Sequence, residues 1–280
     1  MTAGNDFHSL LQYWTHPHLA DGTRQPLPVF EWLGWIGMML VLALLGTLTG
    51  DLAVHVLGHA VPTNRSINEV TMHPSWGIAL MLLFAPILEE LVFRSFMTLE
   101  MKVMSLGLGF IVATLGLAVA KAVMGWHAVP QPDLQWAYFT GVAPVVAAAL
   151  VLTVPAFLMR RTLQRWLIVV APRMIVLMTL FFAAVHALNF EQGWKPWLLW
   201  LTLPQLGEGL VLVYLRVRHG LRWSIATHMV FDWLLIGVGW LHAKKAGAAT
   251  HVAQALVMLV LLGLFAYGAA FMFRRGVLRP

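Results

Sequence analysis

The sequence predicts an all-α fold, a polytopic membrane helix bundle of about eight transmembrane helices. Apolar residues make up 60% of the chain and charged residues only 11%, about half the charge of an average soluble domain. The mean hydropathy is +0.77, and the apolar residues come in long blocks. Cysteine is absent, which excludes disulfides and Cys-ligated metal centres.

This prediction rests on eight apolar blocks, because the length of each is close to the roughly 20 residues that a membrane-spanning helix needs. They comprise residues 32–54, 76–99, 103–124, 137–159, 174–190, 197–217, 221–241 and 252–273. The fifth block also extends back towards Trp166. Tryptophans lie near the ends of several blocks, where interfacial anchors are expected; examples are Trp32, Trp76, Trp197 and Trp223.

Short connections join the blocks, so we expect one transmembrane domain over residues 1–280, with helices adjacent in sequence packing side by side. Residues 1–31 are mostly polar and lack the features of a cleavable signal peptide. With the N-terminus inside, Lys and Arg are about three times as frequent on the inner side, as the positive-inside rule requires. Residues 1–31 and the C-terminus are therefore predicted to be cytoplasmic.

The net charge of +6 does not indicate nucleic-acid binding, because the basic residues lie between apolar blocks and form no single basic face. The expected surroundings are the lipid bilayer. Nucleic acid is not an expected partner.

Charged residues occur inside the second block, where each costs roughly 2.5–3.5 kcal/mol even on lenient insertion scales. The block contains Glu89, Glu90 and Arg94 in a Glu-Glu-x-x-x-Arg motif. Glu90 and Arg94 are four residues apart and share a helix face, so they can pair. Glu89 points about 100° away and is left for another role. A purely structural ion pair would leave this second carboxylate unexplained.

Two further polar motifs lie in the fifth and seventh blocks. His186 follows Phe182 by one turn and precedes Asn189 by one turn, while His228 and Asp232 share a face four residues apart. A single membrane histidine is more often a hydrogen-bond donor between helices than a catalyst. The His228–Asp232 pair fits an oriented His–Asp pair, half of a metal site, or polar packing.

Taken together and in this order, the three motifs resemble the CAAX protease and bacteriocin-processing (CPBP) family, which includes the CAAX prenyl endopeptidases. The resemblance is strengthened by the stretch from Gly209 to His228, which reads as a helix, a turn containing Gly220 and a helix led by Trp223. It covers about residues 76–240. The first and last blocks carry none of it.

The resemblance implies a glutamate-dependent intramembrane endopeptidase without a metal or other cofactor. By similarity, Glu89 is the general base, and His186 helps to hold and polarise the water. His228 and residue 232 stabilise the oxyanion, while Glu90 and Arg94 support the helix that carries Glu89.

Position 232 departs from the family pattern, because the chain has Asp232 where the best-studied members have Asn. An ionised Asp accepts hydrogen bonds and cannot donate one to an oxyanion. Two hypotheses follow. Either Asp232 is protonated, or it orients His228 and His228 alone is the donor.

Other polar residues have weaker functional signals. Asp51, His55 and His59 form a stripe at the end of the first block, which favours a helix end meeting water over a metal or proton site. Glu208 lies inside the sixth block between two glycines, and a cavity role and a packing role stay open. Gly107, Gly109 and Gly116 favour close helix packing. The sequence contains no HExxH motif, phosphate loop or dinucleotide fingerprint.

The leading hypothesis is an endopeptidase that cuts a membrane-associated protein or peptide, at a site in the middle or inner half of the bilayer that opens to the cytoplasm. A metalloprotease using His186, His228 and a glutamate is one alternative. A transporter or bacteriocin-immunity protein with the same polar cavity is another. The compact length favours a bacterial inner membrane, with the endoplasmic reticulum as the alternative location.

Overall fold

The computed structural model describes residue 13 and residues 25–64, 80–97, 105–113, 134–190, 194–243 and 248–274. The helices of this part are α1 (Val29–Val56), α2 (Ala85–Phe93), α3 (Leu134–Leu158), α4 (Arg160–Val185), α5 (Leu203–His219), α6 (Leu221–Ala243) and α7 (Ala248–Arg274). A π-helical turn (Leu80–Phe84) precedes α2, and two 3-10 segments (His186–Asn189 and Pro196–Thr202) lie between α4 and α5. Residues 105–113 are also helical.

The predicted all-α membrane bundle is confirmed. In the described part of the chain, four helical stretches are long and apolar enough to cross a membrane: Val29–Val56, Val169–Asn189, Pro196–His219 and Gln254–Met272. The seventh predicted block is helical throughout, since α6 contains 23 residues. Large apolar side chains cover the outside of the bundle, as lipid-facing residues should. The third predicted block lies mostly outside the described residues.

Helix α1 packs most closely against α7 and α5, so its neighbours in space are not its neighbours in sequence. Gly37 of α1 lies against the backbone of Gly268 in α7, where neither helix has room for a Cβ atom. Small residues permit this close approach of two membrane helices. Beside the crossing, the buried Trp35 ring lies 4.9 Å from Tyr214 and 5.4 Å from Phe271, measured between centroids.

Part of the N-terminal segment that the sequence predicts to be polar packs onto the bundle. Tyr13 and Leu27 are buried, and the Tyr13 ring lies edge-on to Tyr214. Burial raises the pKa of the Tyr13 phenol above its ordinary value. The Gln25 backbone N–H donates to the carbonyl of Arg218 at 3.1 Å, which ties the segment to the end of α5.

A one-residue turn joins α5 and α6 and makes them an antiparallel hairpin. Gly220 ends α5 with a φ of 97°, a conformation that costs glycine little because it has no Cβ atom. The predicted glycine-containing turn is therefore present. The hairpin places Glu208 of α5 beside His228 of α6, and so positions two groups of the site described below.

Helix α2 is shorter than the second predicted block, because it ends at Phe93 and the chain turns at Arg94. The π-helical turn before it leads into Pro86 in the first turn, where the missing N–H costs nothing. At the other end, the buried Arg216 of α5 donates from Nε to the Arg94 carbonyl at 3.0 Å and from Nη2 to the Ser95 carbonyl at 3.1 Å. These bonds tie the end of α2 to α5, and the Arg94 carbonyl also accepts from the Met97 backbone N–H at 3.1 Å.

Candidate active site

Helix α2 carries the first motif, and its two glutamates have different surroundings. Glu90 is fully buried and pairs with Arg94 one turn later, as the spacing predicts. The Arg94 guanidinium also lies over the Phe182 ring, 4.3 Å from its centroid, in the geometry of a cation–π contact. The Glu89 side chain is 29% exposed. One glutamate is therefore locked into the bundle, and the other reaches open space.

Two residues of α6 complete the surroundings of Glu90. The Ser224 hydroxyl donates to Glu90 Oε2, and His228 Nδ1 lies 3.0 Å from Glu90 Oε1. Because an ionised carboxylate only accepts, Nδ1 carries a hydrogen and donates it. Glu90 thus joins α2 to α6 and sets the orientation of the imidazole ring.

The other nitrogen of His228 faces a group of three carboxylates. His228 Nε2 lies 2.9 Å from Glu208 Oε1, 3.5 Å from Glu89 Oε2 and 3.7 Å from Asp232 Oδ2. His228 itself is 2% exposed, whereas the Asp232 side chain is 22% exposed. This side of the ring is acidic and partly open, and we call Glu89, Glu208 and Asp232 the acidic group.

His186 lies at the end of α4, where the α-helix changes to a 3-10 turn. Its Nδ1 lies 2.7 Å from the Phe182 carbonyl, so Nδ1 carries the hydrogen and Nε2 has a free lone pair. The Phe182 ring contacts both histidines, with centroid distances of 4.8 Å to His186 and 6.0 Å to His228. Within the described residues, no hydrogen bond or ion pair joins His186 to Glu89.

The structure adds Glu208 to the residues that the motifs single out. The sequence left its role open, and its only signals were a charge inside an apolar block and the glycines on both sides. Its side chain is 6% exposed and is the carboxylate nearest to His228 Nε2.

The position of Asp232 bears on the hypothesis that it orients His228. The carboxylate hydrogen bond that orients the His228 ring runs from Nδ1 to Glu90, not to Asp232. Asp232 approaches Nε2 instead.

The histidine stripe of α1 lies apart from this site. Helix α1 ends at Val56, and both His55 and His59 are exposed. The His59 ring stacks on Trp197 at 4.5 Å. These positions fit a helix end that meets water.

One set of metal-binding groups comes together among the described residues. Donor atoms of Glu208, His228 and Asp232 all lie within 4.8 Å of one another. His186 does not belong to this set, so the donors that meet in space differ from the set of two histidines and a glutamate expected for the metalloprotease alternative.

Comparison with known proteins adds one finding. The family profile of type II CAAX prenyl endopeptidase Rce1-like proteins matches residues 71–234, which is more than half of the chain and includes all three motifs. Curated proteins and solved structures contain no match to the chain.

Proposed function

Because the chain belongs to the type II CAAX prenyl endopeptidase Rce1-like family, we propose that it hydrolyses a peptide bond of a membrane-associated protein or peptide by glutamate catalysis. The family is one of intramembrane proteases, and the chain is a multi-pass membrane protein. One observation carries the mechanism. Glu89 and His228 Nε2 lie 3.5 Å apart at a partly open position, while His228 Nδ1 is held by the buried Glu90.

Glu89 is the proposed general base. Its side chain is 29% exposed, whereas that of Glu90 is buried, and its buried Oε2 has no hydrogen-bond partner among the described residues. A water beside it can transfer a proton to Glu89 while its oxygen attacks the substrate carbonyl carbon. His186 assists by accepting a hydrogen bond from the water through Nε2, because its Nδ1 is bonded to Phe182.

His228 is the proposed oxyanion donor. Glu90 accepts from Nδ1–H, and its negative charge stabilises an imidazolium that also carries a hydrogen on Nε2. That Nε2–H can donate to the oxygen that becomes negative when water attacks. Asp232 lies on the same side and donates only when its carboxyl is protonated. As the intermediate collapses, the carbon–nitrogen bond breaks and Glu89 returns its proton to the leaving amine.

The proposed substrate is a protein or peptide held at the membrane, because the acidic group lies on helices that are mostly apolar. The inner membrane of a bacterium is the proposed location, with both termini in the cytoplasm. This orientation follows from the distribution of Lys and Arg.

The test compares membrane peptides from cells with the wild-type protein and cells with Glu89→Ala. We expect uncut precursors to accumulate only with the variant, and purified wild-type protein in liposomes to cleave the same precursor. Asp51→Asn is the matched control, since this carboxylate lies at the end of α1, away from the site, and should leave cleavage unchanged.

The proposal fails if the precursor that accumulates is never cut by purified wild-type protein. A transporter or immunity protein would instead show altered transport or protection in Glu89→Gln, with no cleavage in either form. These outcomes separate an enzyme from a membrane protein that uses the same charges without hydrolysis.

A further inference from the structure

We propose that Glu208 is a positioning residue of the hydrolytic reaction, the counter-ion that keeps a hydrogen on Nε2 of His228, the oxyanion donor. The inference rests on the proposed function and gives a role to a residue that lies outside the three motifs. Glu208 acts through His228 in this proposal and does not itself contact the substrate.

Four buried charged groups form a chain of alternating sign across three helices. Arg94 pairs with Glu90 at the end of α2, and Nδ1 of His228 on α6 lies 3.0 Å from Glu90 Oε1. His228 Nε2 in turn lies 2.9 Å from Oε1 of Glu208 on α5. All four side chains are buried. The chain is neutral only when the imidazole is positive, because two buried carboxylates otherwise face a single guanidinium, and unpaired charge is costly in a low-dielectric interior.

The hydrogen on Nε2 depends on this compensation. Glu90 already accepts the hydrogen of Nδ1, so a neutral ring would have only a lone pair at Nε2 and could not donate there. The oxyanion donor therefore exists only in the imidazolium form. Without the Glu208 carboxylate, Arg94 and the imidazolium would share one negative partner and leave an excess positive charge in the interior.

Glu208 differs from the other two members of the acidic group in distance and in burial. Glu89 Oε2 and Asp232 Oδ2 lie 3.5 Å and 3.7 Å from Nε2, and both side chains are partly exposed. Glu208 is closer and buried, so water screens its attraction to the imidazolium least. Glu89 also loses its charge when it takes the proton of the attacking water. Glu208 is therefore the partner whose charge persists through the reaction.

The position of Glu208 leaves the Nε2–H bond available to a substrate. Its Oε1 lies 2.9 Å from Nε2 but accepts no hydrogen bond from the described residues, so this oxygen lies off the direction of the N–H bond. The carboxylate attracts the charge of the ring without occupying its hydrogen. A substrate oxygen that becomes negative in front of Nε2 can then accept that hydrogen.

Close helix packing fixes the backbone at Glu208. A Cβ atom added to Gly207 would lie 3.0 Å from a side chain of α1, and one added to Gly209 would lie 3.1 Å from a side chain of α4. The two glycines thus let α5 pass close to both neighbouring helices. The carboxylate between them is held on the side of α5 that meets α6.

The test measures the protonation of Nε2 directly, by nitrogen-15 nuclear magnetic resonance of histidine-labelled, full-length protein in detergent micelles without substrate. A ring nitrogen with a hydrogen and one with a lone pair resonate far apart, and His228→Gln assigns the signals. We expect both ring nitrogens of wild-type His228 to carry a hydrogen. Glu208→Gln keeps the side-chain shape and removes the charge, so Nε2 should lose its hydrogen. Glu208→Asp keeps the charge and should retain it.

Cleavage in liposomes gives the second readout. Glu208→Gln should lower kcat by about 10²-fold, the lower end of the loss for one oxyanion donor. KM should stay within about twofold, because no substrate contact is removed. Glu208→Asp should recover about tenfold of the lost kcat or more. Thr202→Val is the matched control, since it removes a buried hydroxyl beside the start of α5 that bonds the Leu199 carbonyl. It should change neither kcat nor the His228 signals.

Three outcomes would overturn the proposal: an Nε2 without hydrogen in the wild type, an Nε2 that keeps its hydrogen in Glu208→Gln, or a normal kcat in Glu208→Gln. Gel filtration verifies folding, and the wild-type signal decides the first outcome whether or not the variant folds. Glu89→Gln should lose cleavage and retain the His228 signals. A wild type that cleaves nothing overturns the proposed function, and the Nε2 signals then still support or overturn the pairing of Glu208 with His228.

Discussion

The two ring nitrogens of His228 face regions with opposite properties. On the Nδ1 side, Glu90, Arg94 and Ser224 are buried and bonded to one another across α2 and α6. On the Nε2 side, Glu89 and Asp232 are partly exposed, and the three carboxylates have no arginine or lysine partner among the described residues. The Nδ1 side is closed to solvent and its carboxylate is paired with an arginine. The Nε2 side is partly open, and its carboxylates lack such a partner among the described residues.

This difference indicates which of these side chains stabilise the fold and which take part in the chemistry. A buried network of ion pairs and hydrogen bonds in a low-dielectric interior holds its members in one arrangement, even though Arg94 Nε and Nη2 have no hydrogen-bond partner among the described residues. Unbalanced charge beside an opening is instead typical of groups that meet a substrate, a proton or a cation. We therefore expect substitutions on the Nδ1 side to change folding and those on the Nε2 side to change activity.

The largest expected effect is that of Arg94→Ala. It leaves Glu90 buried without its cationic partner, so the free energy of unfolding should fall by about 3–5 kcal/mol. SDS titration in mixed micelles measures this quantity. The double variant Glu90→Gln/Arg94→Met removes both charges and should recover much of the loss. Equal stability of Arg94→Ala and the wild type would show that the network does not hold the bundle together.

Glu89→Gln should reduce activity and leave stability almost unchanged, the opposite of what we expect for Arg94→Ala. We expect kcat to fall by about 10²–10⁴-fold, the usual contribution of a general base. The free energy of unfolding should stay within about 0.5 kcal/mol of the wild type, because the side chain is partly exposed. Cleavage assays in liposomes and SDS titration check the two quantities on one preparation. A variant with normal kcat would remove Glu89 from the mechanism.

Ser224→Ala tests a smaller part of the closed region. Hydrogen bonds to charged groups contribute about 1.5–3 kcal/mol, and the variant removes the one to Glu90, so unfolding should become easier by that amount. Thr153→Ala is the control and should cost less, since among the described residues its hydroxyl bonds within its own helix, to the Ala149 carbonyl at 2.7 Å. If the two variants lose equal stability, the Ser224–Glu90 hydrogen bond contributes no more to the free energy of unfolding than a hydroxyl bonded within its own helix.

Gly209→Ala should give the smallest effect. The added Cβ would lie 3.1 Å from Thr179 and 3.2 Å from Phe182, so these side chains must shift by a few tenths of an ångström. We expect a loss near the lower end of overpacking costs, about 1 kcal/mol. Gly263→Ala is the matched control, because no neighbouring atom of the described residues lies within 4 Å of its added Cβ. It should be neutral or stabilising in the same titration.

The sequence by itself determined the helical membrane bundle, the glycine turn and the pairing of Glu90 with Arg94. These features depend on apolar block length, on backbone conformation and on a four-residue spacing, and all three are local. The tertiary structure decided which face of His228 meets which carboxylate. Glu90 and His228 are 138 residues apart, and Glu208 reaches Nε2 from another helix. Helical periodicity specifies what shares a face, but contacts between faces depend on how the helices pack, so only the packing reveals the closed and open sides of this histidine.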